Sequence, residues 1–459
     1  MHRLLIKNCT KATFFNDGYN AVNLLQGVDI LIEDHQIVRI DRGLDEKEAK
    51  EVIDATGKLV FPGLNNGYSR CLGSRISRMM AEDWNYERFD HTPLYAKIYP
   101  LLNLALEQLN DIQLETILEL AVYEAANSGT TMLMEYCSPR EVPIFLKLCK
   151  KYGIRAIVFP ALMSRKKWPV VDGWGDYDLE LGDTDEDQLL SWNERMVKET
   201  KGSLQSVAVG TGTLESTSLG LLSKAAKLAR DQNTFLMTGI NETRHERDTC
   251  QKRYKKTPVQ AMEEAGALGK NTLLAGNVFT DHEERLLMRK YEAKAVVSPL
   301  ESMLDARITP FIGFLIDDVP TFCGSGRCTQ DMFRQMHALA LNGKIESKSR
   351  SQMCAHDAFY AATVGVGKAL ELPLGQIEEG FLADIVIADI QKPEHIPFTM
   401  PVNEIVYSLQ ASDISDVIVD GQIIKRDGKL LHHEPNKLIE HAGKVLEILW
   451  QHARDQGEI

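Results

Sequence analysis

Apolar and polar positions fall into three textures along the chain. Over the first 60 residues they alternate in short stretches, at Arg3–Lys7, Val28–Glu33 and Gln36–Ile40, with the period of two that a half-buried strand shows. The same alternation returns at Ala383–Asp389, Asp416–Val419 and Gln422–Lys425, and Asp420-Gly421 between the last two is a strong hairpin signal. Between these ends an apolar run, a loop and an amphipathic stretch repeat. Runs at Phe61–Asn66, Thr131–Tyr136, Arg155–Leu162, Val207–Thr211, Phe235–Thr238, Thr272–Ala275, Ala295–Val297 and Thr321–Cys323 predict eight strands. Helical spacing fills most of the intervals, at Asp111–Ser128, Leu219–Asp231, Pro258–Leu268, Asp281–Tyr291 and Gln330–Leu341. A last amphipathic helix is expected over Asn436–Arg454.

Strands alternating with helices in this number predict an α/β protein built on a (β/α)8 TIM barrel, whose usual size is about 250 residues. A doubly wound open sheet is the alternative, but no Gly-x-Gly-x-x-Gly turn follows the first strand. Isolated small sheets are marginal, so the two β-rich ends are expected to combine. The expected division is a composite β-sandwich from residues 1–60 and 370–435, a barrel over 61–369, and a helix at 436–459 that packs back on the barrel.

Composition removes several classes. Of 459 residues, 52 are Lys or Arg and 65 Asp or Glu, a net charge of −13 that argues against a nucleic-acid-binding face. No apolar run approaches the roughly 20 residues of a membrane span, and the opening nine residues are too short and too polar for a signal peptide. Eight cysteines without a Cys-x-x-Cys pair suggest reduced thiols. A cytoplasmic protein without membrane or nucleic-acid partners is expected.

In a barrel of this kind, chemistry belongs to the C-terminal ends of the strands. Strand one ends in Asn66-Gly67-Tyr68-Ser69-Arg70, strand four in Gly210-Thr211-Gly212-Thr213 and strand five in Gly239-Ile240-Asn241-Glu242. Strands six, seven and eight end in Ala275-Gly276-Asn277, Val297-Ser298-Pro299 and Cys323-Gly324-Ser325-Gly326-Arg327. With Phe61-Pro62-Gly63-Leu64 leading into strand one, Gly375 to Asp384 leading out of the barrel and Val417–Gly421 closing the hairpin, this frame resembles the amidohydrolase superfamily. The likeness is to its cytosine-deaminase-like branch of triazine hydrolases and aminohydrolases, and it spans nearly the whole chain.

The resemblance implies a divalent metal held by His-x-His on strand one, a His on strand five and an Asp on strand eight. The matching residues here are Tyr68, Arg70, Gly239 and either Ser325 or Gly326. The family's strand-six His falls at Gly276 and its substrate-contacting His after strand four at Gly212, whereas the strand-five carboxylate is kept as Glu242. A catalytic metal needs about three imidazole, thiolate or carboxylate donors. Glycine has no side-chain donor and Arg cannot deprotonate. No metal and no other cofactor is therefore expected, and without the metal, water keeps a pKa near its bulk value of about 15.7.

Each remaining candidate has a plain structural alternative. Glu242 is the one candidate for acid/base catalysis, or else a carboxylate neutralised by Arg70 or Arg244. Arg70 puts a permanent cation where the metal charge would sit, able to bind a carboxylate or phosphate, or else it balances Glu242 or Glu135. Cys71, Cys137, Cys323 and Cys328 lie near strand ends, but no His at a strand end is available to activate them. The basic run Arg244–Lys256 is expected in the loop after strand five, as a solvated face or a docking site, and His432-His433 at the surface.

Gly212, Gly239, Gly276 and Gly326 strip side chains from one volume, leaving either a widened pocket or a space filled by neighbours such as Tyr68 and Phe322. The reading at this stage is an amidohydrolase-like pseudoenzyme. It would bind a small nitrogenous or anionic ligand through Tyr68, Arg70, Gly212, Gly239, Glu242, Gly276 and Arg327, as a homo-oligomer or beside an active paralogue. The alternative is a C–N hydrolase of purine, pyrimidine, triazine or guanidino compounds with a rebuilt, metal-free site.

Overall fold

The apolar runs in the middle of the chain become the parallel strands of a barrel. The computed structural model describes residues 2–14, 22–77, 93–170, 180–431 and 433–456. Leu64–Ser69, Thr130–Cys137, Arg155–Pro160 and Gln205–Val207 form one parallel sheet. Val209–Thr211, Leu236–Ile240, Thr272–Gly276, Lys294–Val297 and Thr321–Cys323 form the other. The fourth strand is thus broken at Ala208: its first half pairs with the third strand and its second half with the fifth. Parallel bridges from Leu162 to Thr211 and from Ser69 to Gly326 join the two sheets into a closed ring.

Phe61–Asn66 is not one strand. Phe61 and Pro62 end a strand of the terminal sheet, Lys58–Pro62, and the barrel begins at Leu64. The chain crosses at Gly63, whose N–H donates to the Asp384 carbonyl at 2.8 Å and where a Cβ would run into Thr131. The basic run is not a loop either. Thr243 accepts from the Glu246 N–H and so caps a helix over Arg244–Tyr254, in which Arg247 pairs with Asp281 and Glu284. Leu219–Asp231 is helical as expected, whereas Pro258–Glu264 stops early because the chain turns through Gly266 in the left-handed region.

The two chain ends meet in one hydrogen-bonded sheet. Lys58–Pro62 pairs with Ile385–Asp389 on one side and with Arg3–Phe14 on the other. Asp420 and Gly421, both with positive φ, make the hairpin between Ile414–Val419 and Gln422–Arg426. Alternate residues of both ends, among them Leu4, Ile6, Ile30, Ile53, Val60, Ile385, Ile387 and Ile418, bury a core separate from that of the barrel. That is a composite β-sandwich. The helix Pro435–Asp455 buries Ala442, Leu449 and Ala453 and lies against the helices Asp111–Asn127 and Tyr99–Gln108.

Candidate functional site

Backbone contacts between neighbouring strand ends aim the first strand into the barrel mouth. The Ser325 and Gly326 N–H groups donate to the Tyr68 carbonyl at 2.8 and 2.9 Å, and the Arg70 N–H donates to the Gly326 carbonyl at 2.9 Å. On the other side, buried Glu135 takes the Cys71 N–H at 2.7 Å and the Ser69 hydroxyl. Burial pushes the Glu135 carboxyl up to about 8, so it serves this turn mostly as a neutral group. On strand five, Asn241 turns at positive φ and the Glu242 N–H donates to Glu246 at 3.1 Å, which brings Glu242 in towards Tyr68 and Arg70.

Tyr68 donates its phenol to Glu242 Oε1 at 3.0 Å, and Arg70 Nη2 lies 3.5 Å from Glu242 Oε2. Arg70 is 7% exposed. Its guanidinium carbon lies 5.5, 5.2 and 5.7 Å from the ring centres of Tyr68, Tyr136 and Trp168. Cation–π attraction therefore does much of the work of holding it. Its Nε is buried with no hydrogen-bond partner among the described residues. Glu135 makes no ion pair with Arg70, and Arg244 lies over Phe279, not against Glu242.

The glycine positions are closed by neighbours. A Cβ on Gly276 would collide with Glu242 Cγ, and one on Gly326 with the Glu301 carboxylate. One on Gly239 would stand 2.9 Å from Thr213 Cγ2 and 3.2 Å from Glu242 Oε1. One on Gly212 would stand 2.6 Å from Met163 Cγ, away from Glu242. Phe322 fills the space beside Gly67. Tyr68, Arg70, Gly239, Glu242 and Gly276 thus come together, and Gly212 does not join them.

Arg327 reaches the same region from strand eight. Its Nε lies 2.9 Å from Glu301 and its Nη2 2.8 Å from Asp305. A cavity of about 30 Å³ between Glu242 and this cluster is lined also by Ser298 and Arg307, and is large enough to admit a water. Deeper, Tyr95 donates to Glu215, whose carboxyl burial pushes up to about 7. Burial, with repulsion from Glu215 and Glu242, raises Glu246 well above the carboxylate range.

Tyr136, Trp168, Glu301 and Asp305 escape the reading of strand ends. Tyr136 lies at the end of strand two and Trp168 in the segment after strand three, and the resemblance places no metal ligand at either. Buried Cys71, Cys137 and Cys323 are raised by burial, and Cys328 is pushed up to about 12, so no thiolate nucleophile forms there. His432 lies outside the described residues, while His433 stacks on Tyr152 with ring centres 3.7 Å apart.

The residues at the family's metal positions do not fit a metal. A phenol that donates to Glu242, a guanidinium and two glycines supply no donor set, and Ser325 Oγ is taken up with Asn66 and Gln330. Among the described residues no group of three or more His, Cys, Asp or Glu is arranged to hold a metal ion.

Against known proteins, a model described as the amidohydrolase family matches residues 84–424. A 5'-deoxyadenosine deaminase of Methanosphaera stadtmanae is 28% identical over 89% of this chain and 92% of its own. A 5-methylthioadenosine/S-adenosylhomocysteine deaminase of Pyrococcus furiosus is 26% identical over 91% and 96%. Among solved structures, a zinc-bound adenosine deaminase from Xanthomonas campestris superposes with a TM-score of 0.85 at 18% identity, over 98% of both chains. A guanine deaminase from C. acetobutylicum with bound guanine gives 0.78 at 17% identity, over 92% of this chain and 100% of the other.

Proposed function

The chain belongs to the amidohydrolase family, and from that premise we propose that its barrel mouth recognises a small nitrogenous molecule in a site rebuilt without the metal. One observation carries this reading. Glu242, at the position of the family's catalytic carboxylate, is engaged through both oxygens by Tyr68 and Arg70, the residues at the His-x-His positions. A carboxylate compensated in this way suits recognition better than proton abstraction. The protein would then serve as a binding subunit, alone or beside an active relative.

The relatives' names favour a second reading, in which the chain still hydrolyses a C–N bond of a purine-type or similar compound. The cavity beside Glu242 supports it, because a water there would lie within reach of a general base. Arg70 would then stabilise developing negative charge and Tyr68 would position the carboxylate.

The test is a thermal-shift panel of purines, pyrimidines, triazines and guanidino compounds, followed by ammonia release for each compound that stabilises the protein. A stabilising ligand without ammonia supports the binding role. Ammonia release that is proportional to protein and lost in Glu242→Gln supports the hydrolase. No stabilising compound and no turnover would contradict both.

A further inference from the structure

Arg70 sits in an aromatic box whose walls are built without it. Tyr136 donates its phenol to the Thr211 carbonyl at 2.7 Å, and Tyr68 donates to Glu242 at 3.0 Å. Trp168 stacks on Tyr99 with ring centres 5.1 Å apart and an angle of 16°, and its backbone N–H donates to Asn103 at 2.9 Å. The three walls are all buried. The guanidinium they enclose is poorly served: among the described residues its five N–H donors find one carboxylate oxygen, at 3.5 Å, and Nε–H finds no partner. A group built in for its hydrogen bonds would be better met. The walls instead show the arrangement that selects a planar or alkylated cation, aromatic faces closed on one side by a carboxylate.

We infer that Tyr68, Tyr136, Trp168 and Glu242 form a cation-binding cage, that Arg70 is its tethered occupant, and that the site's ligand is a planar nitrogenous cation of the guanidinium or amidinium class that takes the place of Arg70. This deepens the proposed function by naming the ligand's chemistry. A tethered group has an effective concentration that a free ligand must overcome, so the native protein binds such a cation weakly. Because the walls are held by bonds of their own, removing the Arg70 tip leaves a pre-organised site.

The experiment compares the native full chain with Arg70→Ala, by calorimetry and Trp fluorescence, using methylguanidinium, methylammonium and N-methylurea as probes. The variant should bind methylguanidinium at least tenfold more tightly than the native protein does, and at least tenfold more tightly than it binds the uncharged urea. Trp168→Leu in the Arg70→Ala background should remove that gain. If Arg70→Ala does not fold, Arg70→Val, which keeps an apolar stem in the wall, takes the same comparison. A variant that binds methylguanidinium no better than N-methylurea, or no better than the native chain does, overturns the cage. The proposed function fails separately: if the variant captures the cation while the native protein responds to no nitrogenous compound, the cage stands and the ligand-binding role does not.

Discussion

Two arginines, one half-buried at the bottom of the barrel and one buried at its mouth, are held in different ways. Arg155 opens the third strand, where the barrel meets the terminal sheet. It grips Asp384 with both Nε (3.1 Å) and Nη2 (3.0 Å), reaches Asp420 at 2.9 Å, and Asp384 also takes the Asp420 N–H at 2.8 Å. Arg70, at the mouth, has among the described residues one carboxylate at 3.5 Å and three aromatic faces. The first is a lock in which hydrogen bonds repay desolvation; the second is a charge held mainly by ring faces. Arg155 has its charge matched group for group, as Arg327 does at the mouth with Glu301 and Asp305. At Arg70, on a replaced ligand position, the charge is left for something else to complete.

The sharpest way to break this contrast is at the lock. Asp384→Ala should cost about 3–5 kcal/mol, because it removes the fully buried bidentate partner of a half-buried guanidinium. Urea unfolding that shows a loss below about 1 kcal/mol would mean the two arginines are not so different.

At the mouth, Gly276→Leu should cost about 1–3 kcal/mol, since its side chain would have to displace Glu242, and the left-handed φ of 98° adds strain. Gly239→Leu should behave alike, with Thr213 in its way. An unchanged melt would show instead that a pocket stands open at these positions.

Arg70→Met should cost less than Arg155→Met, about 1.5–3 kcal/mol, because Tyr68 still donates to Glu242 after the guanidinium is gone. Equal losses in the two variants would remove the distinction between lock and caged charge.

The last effect is a slope with pH. Glu135, Glu141 and Glu215 are fully buried and raised to about 8, 7 and 7, chiefly by burial, against about 4.3 in an unfolded chain. Between those values the folded protein holds protons that the unfolded chain has released, so stability should be greatest below about pH 4.5 as far as these groups decide it. It should then fall as pH rises and level off beyond about pH 8. Glu135→Gln should make the decline shallower, by no more than about 1.4 kcal/mol per pH unit. An identical slope in the variant would mean that Glu135 is ionised in the folded state.

The fold could be read from the chain because its cause is local. Alternation at Val28–Glu33 and Ile385–Asp389, helical spacing at Leu219–Asp231 and the Asp420-Gly421 turn each declare one element. Phe61–Asn66 misleads because an apolar run has no mark for a change of sheet; Gly63 is that mark, and its reason is the approach of Thr131. At the site, the loss of metal donors and the proximity of Arg70 and Glu242 follow from the family resemblance and the positions it matches. Trp168 and Glu301 do not. Trp168 reaches the mouth from the segment after strand three and Glu301 from the short helix Pro299–Leu304 after strand seven, neither marked by a long periodicity, and Tyr136 looks like any buried aromatic until Arg70 is placed beside it.

The central claim is that this mouth is organised by an arginine and a glutamate in place of a metal. Elemental analysis of protein purified without chelators and dialysed to constancy tests it most directly. The account predicts well under one transition-metal ion per chain, with melting temperature and ligand response unchanged by a strong chelator. Stoichiometric zinc or iron that resists dialysis, located within the barrel by anomalous scattering, would contradict it.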